Sequence, residues 1–248
     1  MNPEQPLSLD DAVTRAVSHA AKLKLEAPSA LFLLATGAER FADGLEAPRR
    51  VPLEDLDGVP GCWSGLDLFA ARVNDSVIWC IEDAPAHEST SSGAAWARAF
   101  PVWWTAACGA EAVIHSSAGT LLQGDAGGLA HLTDHINLSG STPLEGLGET
   151  RLGPLFPDQT RVHDERLAAL ALELAETSGD RLVGAVAACV HGPAVSTPAE
   201  LRWQRAAGAT LSVQDVAAPL VAATAAQAPS LDRLLHGLAR ELHRVDTR

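Results

Sequence analysis

Apolar positions recur at helical spacing near the start of the chain: Leu9, Ala12, Val13, Ala16, Ala20 and Leu23 share one face, and Ser8 with Asp11 resembles a capping pair. The spacing predicts an opening amphipathic helix over residues 8–24. Ala30 to Ala35 is a short apolar run stopped by Thr36-Gly37, the pattern of a buried strand entering a turn. Leu66 to Val73 and Ser76 to Ile81 flank Asn74-Asp75 and predict a hairpin. Ala94 to Cys108 has helical periodicity, with Pro101 expected to interrupt or kink it. Glu111 to Ser116, Leu129 to Leu138 and Arg181 to Val190 read as strands. Asp164 to Thr177 reads as a helix closed by Gly179, and Thr197 to Ala207 as another closed by Gly208. A strand over Thr210 to Val213, an alanine-rich helical stretch from Val216 and a last helix over Ser230 to His243 complete the pattern.

Strands and helices alternate in the second half, which predicts an α/β fold: a mixed central sheet flanked by helices. No linker or internal repeat divides the chain, so residues 1–248 are expected to form a single domain. Composition then narrows the core. Forty-five alanines stand against 11 aromatics and no tyrosine, so Ala, Val and Leu must fill most of it. Basic residues are also lopsided, with 16 arginines against Lys22 and Lys24 alone.

Charge narrows the partners. At −13 the chain repels phosphate backbones and anionic lipid, so neither nucleic acid nor a membrane surface is expected, and small molecules or other proteins are. No apolar run approaches the roughly 20 residues of a membrane span, and residues 1–10 lack the apolar stretch of a secretory leader. Cys62, Cys80, Cys108 and Cys189 stand far apart without a Cys-x-x-Cys pair, as reduced thiols in a cytoplasmic protein would.

General catalytic signatures are absent: there is no Walker A loop, no Gly-x-Gly-x-x-Gly after a strand, no Gly-x-Ser-x-Gly elbow and no His-Glu-x-x-His. His131-Leu-Thr-Asp134-His135 carries metal-ligand residue types, but on a strand the two histidines stand about 13 Å apart at about 3.3 Å per residue. One ion cannot join both directly, so a structural role is expected there and no metal site. Gly124 to Gly128 lacks the lysine and the helix of a phosphate loop and reads as a turn. His87 to Ser91 is a polar loop after a strand, where a pocket lining and a plain solvated loop are both open.

Several short motifs, in order, resemble the trimeric-type purine nucleoside phosphorylases. Leu132-Thr-Asp134-His135-Ile136-Asn137-Leu138 looks like that family's Asp-His-Ile-Asn-Leu segment, with Ser139-Gly140 and Pro143-Leu144 following. Val59-Pro60-Gly61, the stretch Val113 to Gly119 at the family's Thr-Asn-Ala-Ala-Gly position, and Phe156-Pro157 support it. Gly192-Pro193 with Thr197 and Glu200 is similar to its Gly-Pro-Ser-Phe-Glu-Thr segment and the glutamate beyond. Order and spacing agree from about residue 29 to residue 222.

The resemblance implies a homotrimer that cleaves purine nucleosides with inorganic phosphate, with no cofactor, giving a free base and ribose 1-phosphate. It places phosphate at Thr36 and Ser117, where a hydroxyl and a backbone amide offer donors. Around them the match fails: Glu39 brings a negative charge, and the family's arginine and Pro-Gly-His histidine fall at Ala84 and Cys62. For the sugar, its histidine falls at Ala86, with His87 one residue away, and its tyrosine at Glu88. Phe156 matches a phenylalanine that reaches into a neighbouring subunit's sugar site, and a plain interface role is equally open. For the base, its phenylalanine and glutamate fall at Val195 and Ser196, and its strand ending in Thr-Asn-Lys has no counterpart.

Three readings follow from those substitutions. In the first, the chain is a catalytically degenerate member kept as a binding or regulatory subunit. In the second, Ser116, Val195, Ser196, Gln214 and Asp215 line a remodelled nucleoside or purine pocket of an active enzyme, with His87, Ser196 or Asp215 as catalytic candidates. In the third, the chain joins an active relative in a heteromer and Phe156 completes the partner's site.

Overall fold

The computed structural model describes residues 7–34, 41–83, 94–124, 128–148, 150–151, 156–192, 195–214 and 216–226. The first helix, α1 (Leu9–Lys22), starts where the spacing places it, with the Ser8 hydroxyl accepting the Asp11 backbone N–H at 3.2 Å. Leu9, Ala12, Val13, Ala16 and Ala20 form its buried face. β1 (Ala30–Leu34) follows, then β2 (Arg49–Pro52), which the apolar pattern misses because two of its four residues are arginines. β3 (Asp67–Val73) and β4 (Ser76–Ile81) form the expected hairpin. Asn74 takes a φ of 55° at its tip, a left-handed conformation that asparagine tolerates.

Pro101 starts a helix instead of kinking one. A 3-10 turn over Ala95–Ala99 leads into α2 (Phe100–Ala107), and Pro101 sits in its first turn, where a missing N–H costs nothing. β5 (Ala112–Ser116), a short β6 (Gly119–Leu121) that sequence reading omits, and β7 (Leu129–Asn137) come next. α3 (Glu165–Ser178) begins at Asp164, whose carboxylate accepts the Arg166 and Leu167 N–H groups, and ends at Gly179 with φ 75°. β8 (Leu182–Val190) leads to α4 (Pro198–Ala206), capped by a reciprocal Thr197–Glu200 box. β9 (Leu211–Gln214) and α5 (Ala217–Ala225) end the described chain. The helix expected over residues 230–243 lies outside the described residues.

The α/β class is as expected, but the strands form two mixed sheets in place of one. The first has the order β2-β3-β4-β1-β5, with β1 parallel to β4 and β5; the second has the order β6-β9-β8-β7, with β7, β8 and β9 parallel. Under the first sheet lies the main core, where Trp63, Trp79 and Trp104 are fully buried beside Phe100, Leu31, Leu33 and Ile81. Trp79 and Trp104 meet at 4.9 Å between ring centroids. The second sheet rests on much smaller clusters of Ala187, Cys189, Val213 and Ala217, and of Leu122, Ala188 and Ala209. α5 joins the two, with Ala222 and Ala225 in the main core and Ala217 in the smaller one. Cys80 and Cys189 are fully buried, one in each sheet, and all four thiols are free.

Candidate functional site

The two sheets meet at Ser117 and Ala118. β5 ends with Ser116 opposite Leu34 of β1, and three residues later Gly119 of β6 pairs with Val213 of β9. A Cβ on Gly119 would lie 3.0 Å from a Val213 methyl, so the crossing is close. Gln214, next to Val213, pairs in turn with Val190, the last residue of β8. Ser116, Ser117, Gln214 and His191 therefore share one rim, at the carboxyl ends of the parallel strands β1, β5, β8 and β9. Open α/β sheets bind their ligands at such a rim. The structure thus brings together predicted residues that lie about 100 positions apart in sequence.

Not every predicted residue offers a free group there. Ser117 is exposed, and its hydroxyl donates to the Ala118 carbonyl at 3.2 Å. Ser196, in the loop between β8 and α4, accepts the Gln204 side-chain amide at 3.0 Å. Gln204 is itself buried in α4, so this bond fixes the Ser196 hydroxyl from beneath. Val195 and Phe156 are strongly exposed, at 74% and 94%. Thr36, His87 and Asp215 lie outside the described residues, as do Glu39, Ala84, Ala86 and Glu88. Glu200 is spent on the N-terminus of α4, where it accepts the Thr197 N–H at 2.6 Å.

Cys62 occupies the position that the resemblance gives to a histidine. It lies in the 3-10 turn Gly61–Trp63, with its thiol 3.7 Å from the Ala97 carbonyl. Burial pushes its pKa up to about 11 while the positive charge of Arg98 pulls the other way. The thiol therefore stays neutral at pH 7 and cannot act as a cationic donor. Arg98 is the feature that sequence reading missed. Its guanidinium Nη1 lies 3.4 Å from His191 Nδ1, across 93 residues of chain, so that a cation stands between the Cys62 turn and the end of β8. No local pattern signals this pair, because its members come from a 3-10 turn and a strand end. His115 of β5 is buried enough to push its pKa down to about 4, which keeps it neutral.

A second cluster lies away from the rim. Sequence reading sets His135 and His131 too far apart to share an ion; the structure puts His135 beside His163, whose Nε2 is 3.0 Å from His135 Nδ1. Asp134 joins them, and the ligand-type atoms of the three residues lie within 4.8 Å of one another. Burial lowers the pKa of both histidines.

Comparison with known proteins places these observations. A family model described as the phosphorylase superfamily matches residues 31–232. Purine nucleoside phosphorylase 1 of Bacillus subtilis is 31% identical over 206 residues, covering 81% of this chain and 75% of the relative. Its counterpart in Geobacillus stearothermophilus is 29% identical over 187 residues, covering 73% and 67%. Among solved structures, Schistosoma mansoni purine nucleoside phosphorylase complexed with a monocyclic inhibitor superposes with a TM-score of 0.83 at 19% identity, covering 97% of each chain. The same organism's enzyme complexed with ribose-1-phosphate and cytosine, as isoform 2, gives 0.82 at 17% identity, over 90% of this chain and 81% of that one. Among the described residues no helix is long and apolar enough to cross a membrane.

Proposed function

The chain belongs to the phosphorylase superfamily, within it to the purine nucleoside phosphorylases, and from that membership we propose that it binds a purine nucleoside or purine at the strand-end rim while its phosphorolysis is weak or lost. Ser196 carries this reading. At the position that the resemblance assigns to the family's glutamate stands a hydroxyl already held by Gln204 at 3.0 Å. Phosphorolysis builds negative charge on the departing purine, and losing one group that stabilises such charge typically costs about a hundredfold or more in rate. The neutral Cys62 thiol removes a second donor, on the phosphate side.

Purified protein assayed with inosine, guanosine and adenosine in phosphate, beside the Bacillus subtilis relative, tests the reading. A rate at least about a hundredfold below the relative is expected for each nucleoside, and turnover within about tenfold of it overturns the proposal.

A second reading is an active enzyme with altered substrate or chemistry, still using inorganic phosphate and no cofactor. The contact of Arg98 with His191 favours it, because guanidinium and imidazole are the donor types that Ala84 and Cys62 lack. Here Thr36 and Ser117 would hold phosphate, Ser116, Phe156, Val195 and Gln214 would line the nucleoside site, and His87, Ser196 or Asp215 would move the proton. A rise in melting temperature with phosphate that Arg98→Ala removes would support it, and no rise with phosphate, purine or nucleoside would sink it.

The remaining assignments follow the same membership. Residues 1–248 are read as one domain, which the shared helix α5 supports. A homotrimer, or a heteromer with an active relative, suits Phe156 at 94% exposure, since a phenylalanine so placed gains most by entering a neighbour. The four free thiols suit the cytoplasm. Native mass measurement and co-purification from the source cell decide the assembly.

A further inference from the structure

We propose that Asp134, His135 and His163 form a binding site for a divalent transition-metal ion of the zinc class, separate from the nucleoside rim. The residue types are those that such ions select, two imidazoles and one carboxylate whose ligand-type atoms lie within 4.8 Å of one another. Spacing supports it. Two ligands bound at about 2.0–2.1 Å in a tetrahedron stand about 3.3 Å apart. His135 Nδ1 and His163 Nε2 stand 3.0 Å apart, so an ion needs only a few tenths of an ångström of opening.

Local structure explains how neighbours in sequence converge. Consecutive strand residues normally point to opposite faces. β7, however, is the outer strand of its sheet, with β8 on one side only, and its register shifts between Leu132 and Asp134. Such a bulge bends the strand and re-aims its side chains, here leaving Asp134 and His135 able to reach a common edge. The Asp134 carboxylate is oriented by the His135 backbone N–H, which donates to its Oδ1 at 2.7 Å.

The site is distinct from the rim. Asp134 pairs with Val186, four residues before Val190, which puts it about 13 Å back along the strand. Three protein ligands leave one tetrahedral position for water. The ion would also pin His163, and with it the start of α3, to the edge of β7. Without an ion, the same contact is a single imidazole-to-imidazole hydrogen bond.

Full-length protein freed of metal by a chelator and titrated with cobalt(II), then zinc, tests the proposal. One equivalent of cobalt is expected to give the visible bands of a four-coordinate nitrogen and oxygen site, and zinc should displace it. His163→Gln and Asp134→Asn should each weaken binding by about tenfold or more, while His131→Gln, on the same strand, should not. In the unsubstituted protein, zinc should shift the ring resonances of His135 and His163 and spare that of His131, a readout that does not depend on any variant folding. Absence of saturable uptake, uptake indifferent to the two variants, or thiolate-to-cobalt bands from the cysteines would each overturn it.

Discussion

The two sheets of this molecule are stabilised differently. The first covers a core of three fully buried tryptophans with Phe100, leucines and Ile81, and α1 and α2 close it. The second rests on small clusters rich in alanine, with Cys189, Val213, Val216 and Leu122 as their larger members, and its outer strand β7 leaves Leu129 61% exposed. Burying a large apolar side chain contributes about 1.5–3 kcal/mol, and an alanine has only a methyl to bury. Packing stability therefore concentrates in the first half, while the second half supplies the rim residues Ser196 and Gln214 and the histidine pair. The rim also takes Ser116 and Ser117 from the end of β5, so the strongly packed half contributes to it as well.

The largest test of that contrast is Trp104→Ala, expected to cost about 3–5 kcal/mol in denaturant unfolding. Among the described residues the buried Trp104 indole N–H has no hydrogen-bond partner, so Trp104→Phe should cost far less. Trp63→Phe should be the harsher of the two phenylalanine changes, because the Trp63 N–H donates to the Ala97 carbonyl at 2.8 Å and its loss leaves that carbonyl the weaker contact with the Cys62 thiol. Equal costs for the two would show that shape alone sets this core.

Acid provides the next test. His115 has its pKa lowered by burial to about 4, against an unfolded value near 6.5. Above pH 6.5 the group is neutral in both states and contributes no pH dependence. Between about 6.5 and 4 only the unfolded chain takes up the proton, so stability falls by up to about 3 kcal/mol and then levels off. His115→Gln should flatten that part of the stability curve, and a curve with unchanged slope would remove His115 from the account.

The smallest expected effect lies in the thin half. Thr197→Ala breaks the capping box of α4 and should cost about 1 kcal/mol. If it costs as much as the tryptophan truncation, the second half is more cooperative with the first than its sparse contacts suggest.

Much of the fold is legible because its signals are local. Ser8, Asp164 and Thr197 mark helix starts, Gly179 marks an end, and Asn74 marks the hairpin. β2 and β6 are not, since four and three residues carry no periodicity and depend on neighbours for pairing. Pro101 misleads because a proline that breaks a helix interior also suits its first turn. The site divides similarly. Framework motifs locate the rim, but the contacts between Arg98 and His191, between Ser196 and Gln204, and between His135 and His163 are made by folding across 93, 8 and 28 residues. Nothing in one segment announces its partner in the other.

Cys80 and Cys189 place an internal clock in each half. Both are fully buried, and burial pushes both thiols up to about 12, so neither presents thiolate to a reagent while the surrounding sheet is closed. Each can be alkylated only when its own sheet opens, and its labelling rate then reads the free energy of that opening. In a brief pulse of a thiol reagent under native conditions, Cys189 should be modified well before Cys80, and the ratio of the two rates would measure how far the alanine-lined half breathes independently of the tryptophan-filled one.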